Sequence, residues 1–131
     1  MKKDTAEKAG KYPTLDALKK ASKGLQFVSE TEAPFEVFRW QDRNELTQDR
    51  MRQLTAAGAS TPVEAMSLDD FFRAVPSEDK VNFQKLEKAL KDQLAGVQVY
   101  KLGGEAEKQV YIVGKTPDGQ WAGLKTTVVE T

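Results

Sequence analysis

The chain has 131 residues, 39% hydrophobic and 31% charged, with 20 basic and 20 acidic side chains and so no formal net charge. That is the size of one domain able to bury a core without covalent staples, and the lack of a basic excess argues against direct nucleic-acid binding. Neither Cys nor His occurs, which removes disulfide frameworks, thiolate nucleophiles, His-dependent triads, zincins and zinc deaminases.

Residues Met1–Tyr12 are rich in Lys, Ala and Glu without apolar periodicity. They read as a flexible, mildly basic tail (residues 1–13 with Pro13) ahead of a single domain at 14–131. The tail has no apolar core of a secretory signal, and no run approaches the ~18 apolar residues of a membrane span. The expected setting is the cytoplasm, away from any membrane.

Thr14 is placed to cap a short helix carrying Leu15, Leu18, Ala21 and Ser22 on one side, with Gly24 as its stop. Leu25–Trp40 holds two extended pieces around a charged corner, and Phe35–Trp40 has the aromatic and β-branched composition of a strand. Pro34 biases Ala33 away from helix. Between Val28 and Phe38 stand three acids, Glu30, Glu32 and Glu36, and no basic residue. This is a solvated loop or an acidic surface with a rigid element on each side.

Leu46–Ala57 reads as a helix, capped by Thr47 and stapled by Leu46 and Met51. Gly58–Pro62 breaks it, and Val63–Met66 is a short strand. Ser67-Leu68-Asp69-Asp70 opens a helix over Phe71, Phe72 and Val75. Its two acids complement the helix dipole and need no catalytic role. The longest helix is expected over Glu78–Leu94, with Phe83, Leu86, Leu90 and Leu94 as its buried stripe and Gly96 as its end.

The remainder reads as a β-meander: Val97–Leu102, Lys108–Lys115 and Gln120–Thr131, the last two joined by the turn Thr116-Pro117-Asp118-Gly119. In the last strand Ala122, Leu124, Thr126 and Val128 form one face, and Trp121, Lys125, Thr127, Val129 and Thr131 the other. Apolar residues on both faces require helices on both sides. The expected fold is a mixed α/β (α+β) three-layer α/β/α sandwich around a mainly antiparallel sheet. The chain stays strand-like through Val128-Val129-Glu130-Thr131. Its α-carboxylate, with a reference pKa of roughly 3.3–3.7, is ionised at neutral pH. Either the domain ends with its last strand, or a carboxylate, a hydroxyl and Glu130 are presented to something.

No dinucleotide fingerprint, phosphate loop, nucleophile elbow or calcium loop is present, and no cofactor is expected. A carboxylate-based hydrolase would need two acids converging on one cleft. Glu30 and Glu32, two apart, point to opposite faces if extended. The residues favour a non-catalytic interaction domain over an enzyme.

Three blocks carry a resemblance. They are Ala21–Leu25 running into Ser29-Glu30-Thr31-Glu32-Ala33-Pro34-Phe35-Glu36-Val37-Phe38; Asn82–Leu86; and Gln98–Gly103 through Gly114–Pro117 to Ala122-Gly123-Leu124 and Val128-Val129-Glu130-Thr131. Together, over roughly Leu15–Thr131, the chain resembles the nuclease A inhibitor (NuiA-like) family. The resemblance implies an α/β/α sandwich similar to plant pathogenesis-related proteins. It also implies a monomeric inhibitor that plugs the active site of a sugar-non-specific ββα-metal endonuclease cutting DNA and RNA. By motif, Thr131 and Glu30 would approach the nuclease's Mg²⁺, and Glu32 and Glu130 would join the partner-binding surface, with no metal of the inhibitor's own. The family's longer loop, with an acidic–aromatic pair that meets the nuclease, is replaced here by Ala74–Asp79, without a nearby Trp. A different partner on the same fold is the alternative reading.

Overall fold

Three strands joined by two short turns form the middle of the sheet, because each alternates apolar residues on both faces and each turn has the residues to close it. The structure, a computed structural model, describes residues 13–73, 75, 77–104 and 106–130. Of the tail expected at 1–13, residues 1–12 lie outside the described residues, as does the terminal Thr131, and Pro13 belongs to the first helix.

The elements run α1 (Pro13–Ser22), β1 (Gln26–Val28), β2 (Glu32–Pro34), β3 (Glu36–Trp40), α2 (Gln48–Leu54), β4 (Val63–Met66) and α3 (Leu68–Phe72). After a 3₁₀ turn (Ser77–Asp79) come α4 (Lys80–Gln93), β5 (Ala95–Leu102), β6 (Glu107–Lys115) and β7 (Trp121–Val129). The five-stranded sheet has the order β3-β7-β6-β5-β4, antiparallel throughout, and β1 with β2 forms a separate hairpin.

One sheet face meets α1, α3 and α4. Val99, Val110, Ile112, Ala122, Leu124 and Val128 are buried there with Leu18, Phe71, Phe83, Leu86 and Leu90. Each such side chain taken fully out of water contributes about 1.5–3 kcal/mol. On the other face, Leu102 and Val113 are buried outside that cluster, as is Met51 of α2. The segment before α2 also reaches this face: Asn44 accepts the Trp121 indole N–H through its carbonyl at 2.9 Å. The protein is thus the expected mixed α/β sandwich, with a thick helical layer on one side and α2 on the other.

Local signals are met at two caps. Thr47 and Ser67 sit in extended conformation and accept from the Arg50 and Asp70 amides, satisfying donors that a helix start leaves open. Several boundaries differ from expectation: the helix expected over Leu46–Ala57 spans Gln48–Leu54, and the last strand, expected from Gln120 to Thr131, spans Trp121–Val129. α1 starts at Pro13, so Thr14 is buried within the first turn instead of capping it; proline's fixed φ suits the first helical position. The long helix is α-helical only from Lys80, behind the 3₁₀ turn. Gly96 does not stop that helix, which ends with an extended Leu94. It lies inside β5 at φ +61°, where the register with β6 shifts between Ala95 and Gln98. An extra residue in a bulge adopts such a φ most easily as glycine.

Candidate functional site

The acid-only corner is the tip of the β1–β2 hairpin. Val28 pairs with Glu32, and the three residues between them turn through a Ser29 amide bond to the Thr31 carbonyl at 2.8 Å. Two aromatics anchor the hairpin. Phe27 stacks on Phe71 with ring centroids 4.4 Å apart, and Phe35, just past β2, meets Phe83 edge-on at 5.9 Å. Both phenylalanines are buried, so the tip projects from a fixed base.

The hairpin docks on β7. Strand β3 pairs with β7 only as far as Glu36 opposite Lys125, which would leave the rest of that edge of β7 without a strand partner. The hairpin fills the gap with individual groups. The Thr126 hydroxyl donates to the Ala33 carbonyl at 3.3 Å. The Val129 amide donates to Ser29 Oγ at 2.9 Å, and the Glu30 amide donates to the Val129 carbonyl at 3.2 Å. Ser29 and Glu30 thereby supply one acceptor and one donor to a single residue, as a neighbouring strand would.

From the opposite edge, β6 stays paired with β7 through Glu107 opposite Val129, and the Glu130 amide then donates to the Ala106 carbonyl at 2.8 Å. The last described residues of the chain are held from both sides. The Glu130 carboxylate accepts from Lys101 Nζ at 2.7 Å and from Lys108 Nζ at 3.0 Å. These two lysines, Lys101 foremost, hold its pKa below the ordinary glutamate range.

Of the residues singled out in the sequence, Glu30 and Glu32 are exposed at the hairpin tip, and Glu30 is tied through its backbone to the end of β7. Glu130 lies at that same end, with its carboxylate turned onto two lysines. The expected role of Thr131 falls outside the described residues. Glu36 stands apart from the other corner acids, 3.7 Å from Lys125 across the sheet. Beside Glu32 a shallow groove of about 250 Å³ runs between Val28 and the Asp79–Phe83 turn of α4; Val28 is 41% exposed.

Sequence reasoning passed over Ser29, Lys101 and Lys108. Ser29 carried a signal, since a serine at a hairpin tip readily bonds nearby backbone. The lysines carried none without the strand register.

No group of three or more acids that could hold a metal occurs among the described residues. A second cavity of about 270 Å³ opens between α3 and α4 over Phe72 and Phe83. Its acids Asp69 and Glu87 both pair with Lys91, and the Glu87 side chain, then Lys91, hold the Asp69 pKa below the ordinary aspartate range. No helix among the described residues is long and apolar enough to cross a membrane.

What this arrangement can do is present exposed carboxylates from a rigid sheet end. A rigid presentation lowers the ordering cost of engaging a partner. No curated protein matches the chain. The family model described as nuclease A inhibitor-like protein matches residues 12–131. That match covers the hairpin, the sheet and the chain end together, and supports a nuclease inhibitor, with a nuclease as partner. The chain belongs to the nuclease A inhibitor-like family.

Proposed function

We propose that this protein inhibits a sugar-non-specific, metal-dependent ββα-metal endonuclease by occluding its active site with the end of the sheet. Glu30 and Thr131 approach the catalytic Mg²⁺ of the nuclease, and Glu32 lines the contact beside them. The observation that carries the reading is the pair of hydrogen bonds between the tip and Val129, one from its amide to the Ser29 hydroxyl and one from the Glu30 amide to its carbonyl, which fixes the acidic corner against the strand that leads to the C-terminus.

The chemistry follows from what a nuclease site binds. Such a site concentrates positive charge and a divalent cation to neutralise a phosphodiester. Mg²⁺ takes oxygen ligands and keeps several waters that a carboxylate or hydroxyl can replace. A plug that brings such oxygens on fixed backbone imitates the phosphate and offers no bond to cut. Histidine and cysteine are not needed for this, because the metal belongs to the partner.

The test is inhibition of a ββα-metal nuclease by wild type, by Glu30→Ala and by the chain lacking Thr131. Truncating a desolvated charged contact costs about 2–5 kcal/mol, so each change raises the inhibition constant by ~30-fold or more. Wild-type inhibition that neither change weakens refutes the metal plug.

A further inference from the structure

We propose that Lys101 and Lys108 are positioning residues for the inhibitory tip: clamped on Glu130, they fix the direction in which the chain leaves β7, and Glu130 acts through them and not on the partner. The inference rests on the inhibitor reading of the sheet end.

Three fixed points define the clasp. The Glu130 backbone amide is bound to the Ala106 carbonyl at 2.8 Å. One carboxylate oxygen takes Lys101 from β5 at 2.7 Å, and the other takes Lys108 from β6 at 3.0 Å. With both oxygens and the amide engaged, neither the backbone nor the side chain of Glu130 can turn independently. The lysines are well placed to hold it. Their side chains are only 12% and 21% exposed, against 45% for Glu130, so their stems are packed while the ammonium groups reach the carboxylate. Both lie on the helix-covered face, Lys101 opposite Val110 and Lys108 opposite Val128. The alternation of β7 carries residue 130 to that face as well.

The purpose follows from the position. A strand that runs past its last ladder bond frays, and a frayed tip must lose its conformational freedom again when it enters a partner's cleft. The Ser29–Glu30 tip restrains Val129 from one edge. The two-lysine clasp restrains the next residue from the other. Since each lysine comes from a different strand, the carboxylate is aimed, not merely neutralised.

A double-mutant cycle separates this role from direct contact. The proteins are wild type, Glu130→Gln, the pair Lys101→Met with Lys108→Met, and the triple variant. Each is assayed for nuclease inhibition and, without nuclease, for amide exchange at Val129 and Glu130. Methionine keeps the apolar stems, and Lys101→Arg with Lys108→Arg restores the charges should methionine disturb folding. Freeing one or two backbone residues weakens inhibition about tenfold in Glu130→Gln and in the Met pair. The triple variant should lose no more than either, the Arg pair should inhibit like wild type, and exchange should quicken in every variant that lacks the clasp.

Losses that add to about a hundredfold in the triple variant, or full inhibition by the Met pair beside a weakened Glu130→Gln, place Glu130 on the partner and overturn the proposal. Exchange unchanged in all variants overturns it too. Exchange quickened in a protein that inhibits no nuclease leaves the clasp standing and sinks the inhibitor reading.

Discussion

At its first residue β7 is held by its indole side chain and a hairpin closed on itself; at its last the pairing with β6 is supplemented by an exposed hairpin tip and a pair of lysines. Trp121 faces Trp40 in register, carries the Lys115 ammonium 5.1 Å over its ring and donates its indole N–H to Asn44. The hairpin before it is closed on itself, with the Thr116 amide bound to the Gln120 carbonyl at 2.8 Å and the Gly119 amide to the Thr116 carbonyl at 2.9 Å. Nothing at that end needs to be exposed. At Val129 and Glu130 the partners besides β6 and the Ala106 carbonyl are a serine hydroxyl, the amide next to it and two lysine ammoniums, and the acids around them face water. A domain concerned only with stability gains more from the first pattern, because exposed ion pairs contribute little. The second pattern fixes geometry at little profit in stability. Changes near the start of β7 should therefore cost stability and spare inhibition, and changes near its end should do the reverse.

The largest expected effect is at Gly123, two residues into β7. A Cβ there would run into the Ile112 carbonyl oxygen and come within 3.1 Å of the Val113 Cα, both backbone atoms of a central strand that cannot step aside. Gly123→Ala should lose about 2–3 kcal/mol of stability by overpacking, read as a lower urea midpoint. The inhibition constant of the folded protein should stay within about twofold. A normal urea midpoint combined with poor inhibition would break the division between the two ends.

The sequence legibility of each end follows the same division. Thr47, Ser67 and the Thr116–Gly119 turn could be read directly, because caps and tight turns are settled by groups within four residues. The alternation along β6 and β7 told which residues line each face, and the apolar content of both faces told that helices cover both. Gly96 reads as a helix stop because a glycine after a helix looks the same whether it stops the helix or sits in a bulge, and only the register with β6 decides. The acidic corner was legible as a run without a base, but not Lys125, which reaches Glu36 from another strand. The clasp was hidden for the same reason, its lysines lying 29 and 22 residues from Glu130 in sequence. Of the candidate site, the acids were visible and their positioning was not.

Ser29→Ala tests the far end of the comparison. It removes the acceptor for the Val129 amide and leaves the Glu30 carboxylate in place. The net worth of one such bond is about 0.5–1.5 kcal/mol, so the urea midpoint should move little. Inhibition should weaken about tenfold, as the tip loses one of two bonds that align Glu30 with β7. Ser29→Thr, which keeps the hydroxyl, should recover most of it. A loss of stability as large as that of Gly123→Ala, with inhibition intact, would make Ser29 a structural residue and dissolve the distinction.

The smallest effect is a pH dependence confined to the Val129 end. Glu130 titrates below the ordinary glutamate value of 4.5, chiefly because Lys101 and then Lys108 favour its charged form. A carboxyl with a depressed folded pKa binds its proton more readily in the unfolded chain. Its contribution is therefore present in full above 4.5 and disappears as the pH falls through the lower, folded value. At 45% exposure much of that contribution is screened by solvent, leaving a few tenths of a kcal/mol to about 1 kcal/mol. Thermal melts of wild type and Glu130→Gln should differ slightly but steadily from pH 7 to 5 and converge at lower pH, and high salt should shrink the gap. The same comparison at the Trp121 end, with Trp121→Phe removing the indole donor to Asn44, should show a gap that acid does not alter, because neither the indole nor the Lys115 ammonium over its ring changes charge between pH 7 and 4. An acid-sensitive gap there, or an acid-independent one at Glu130, would show that the two ends are not held by different forces.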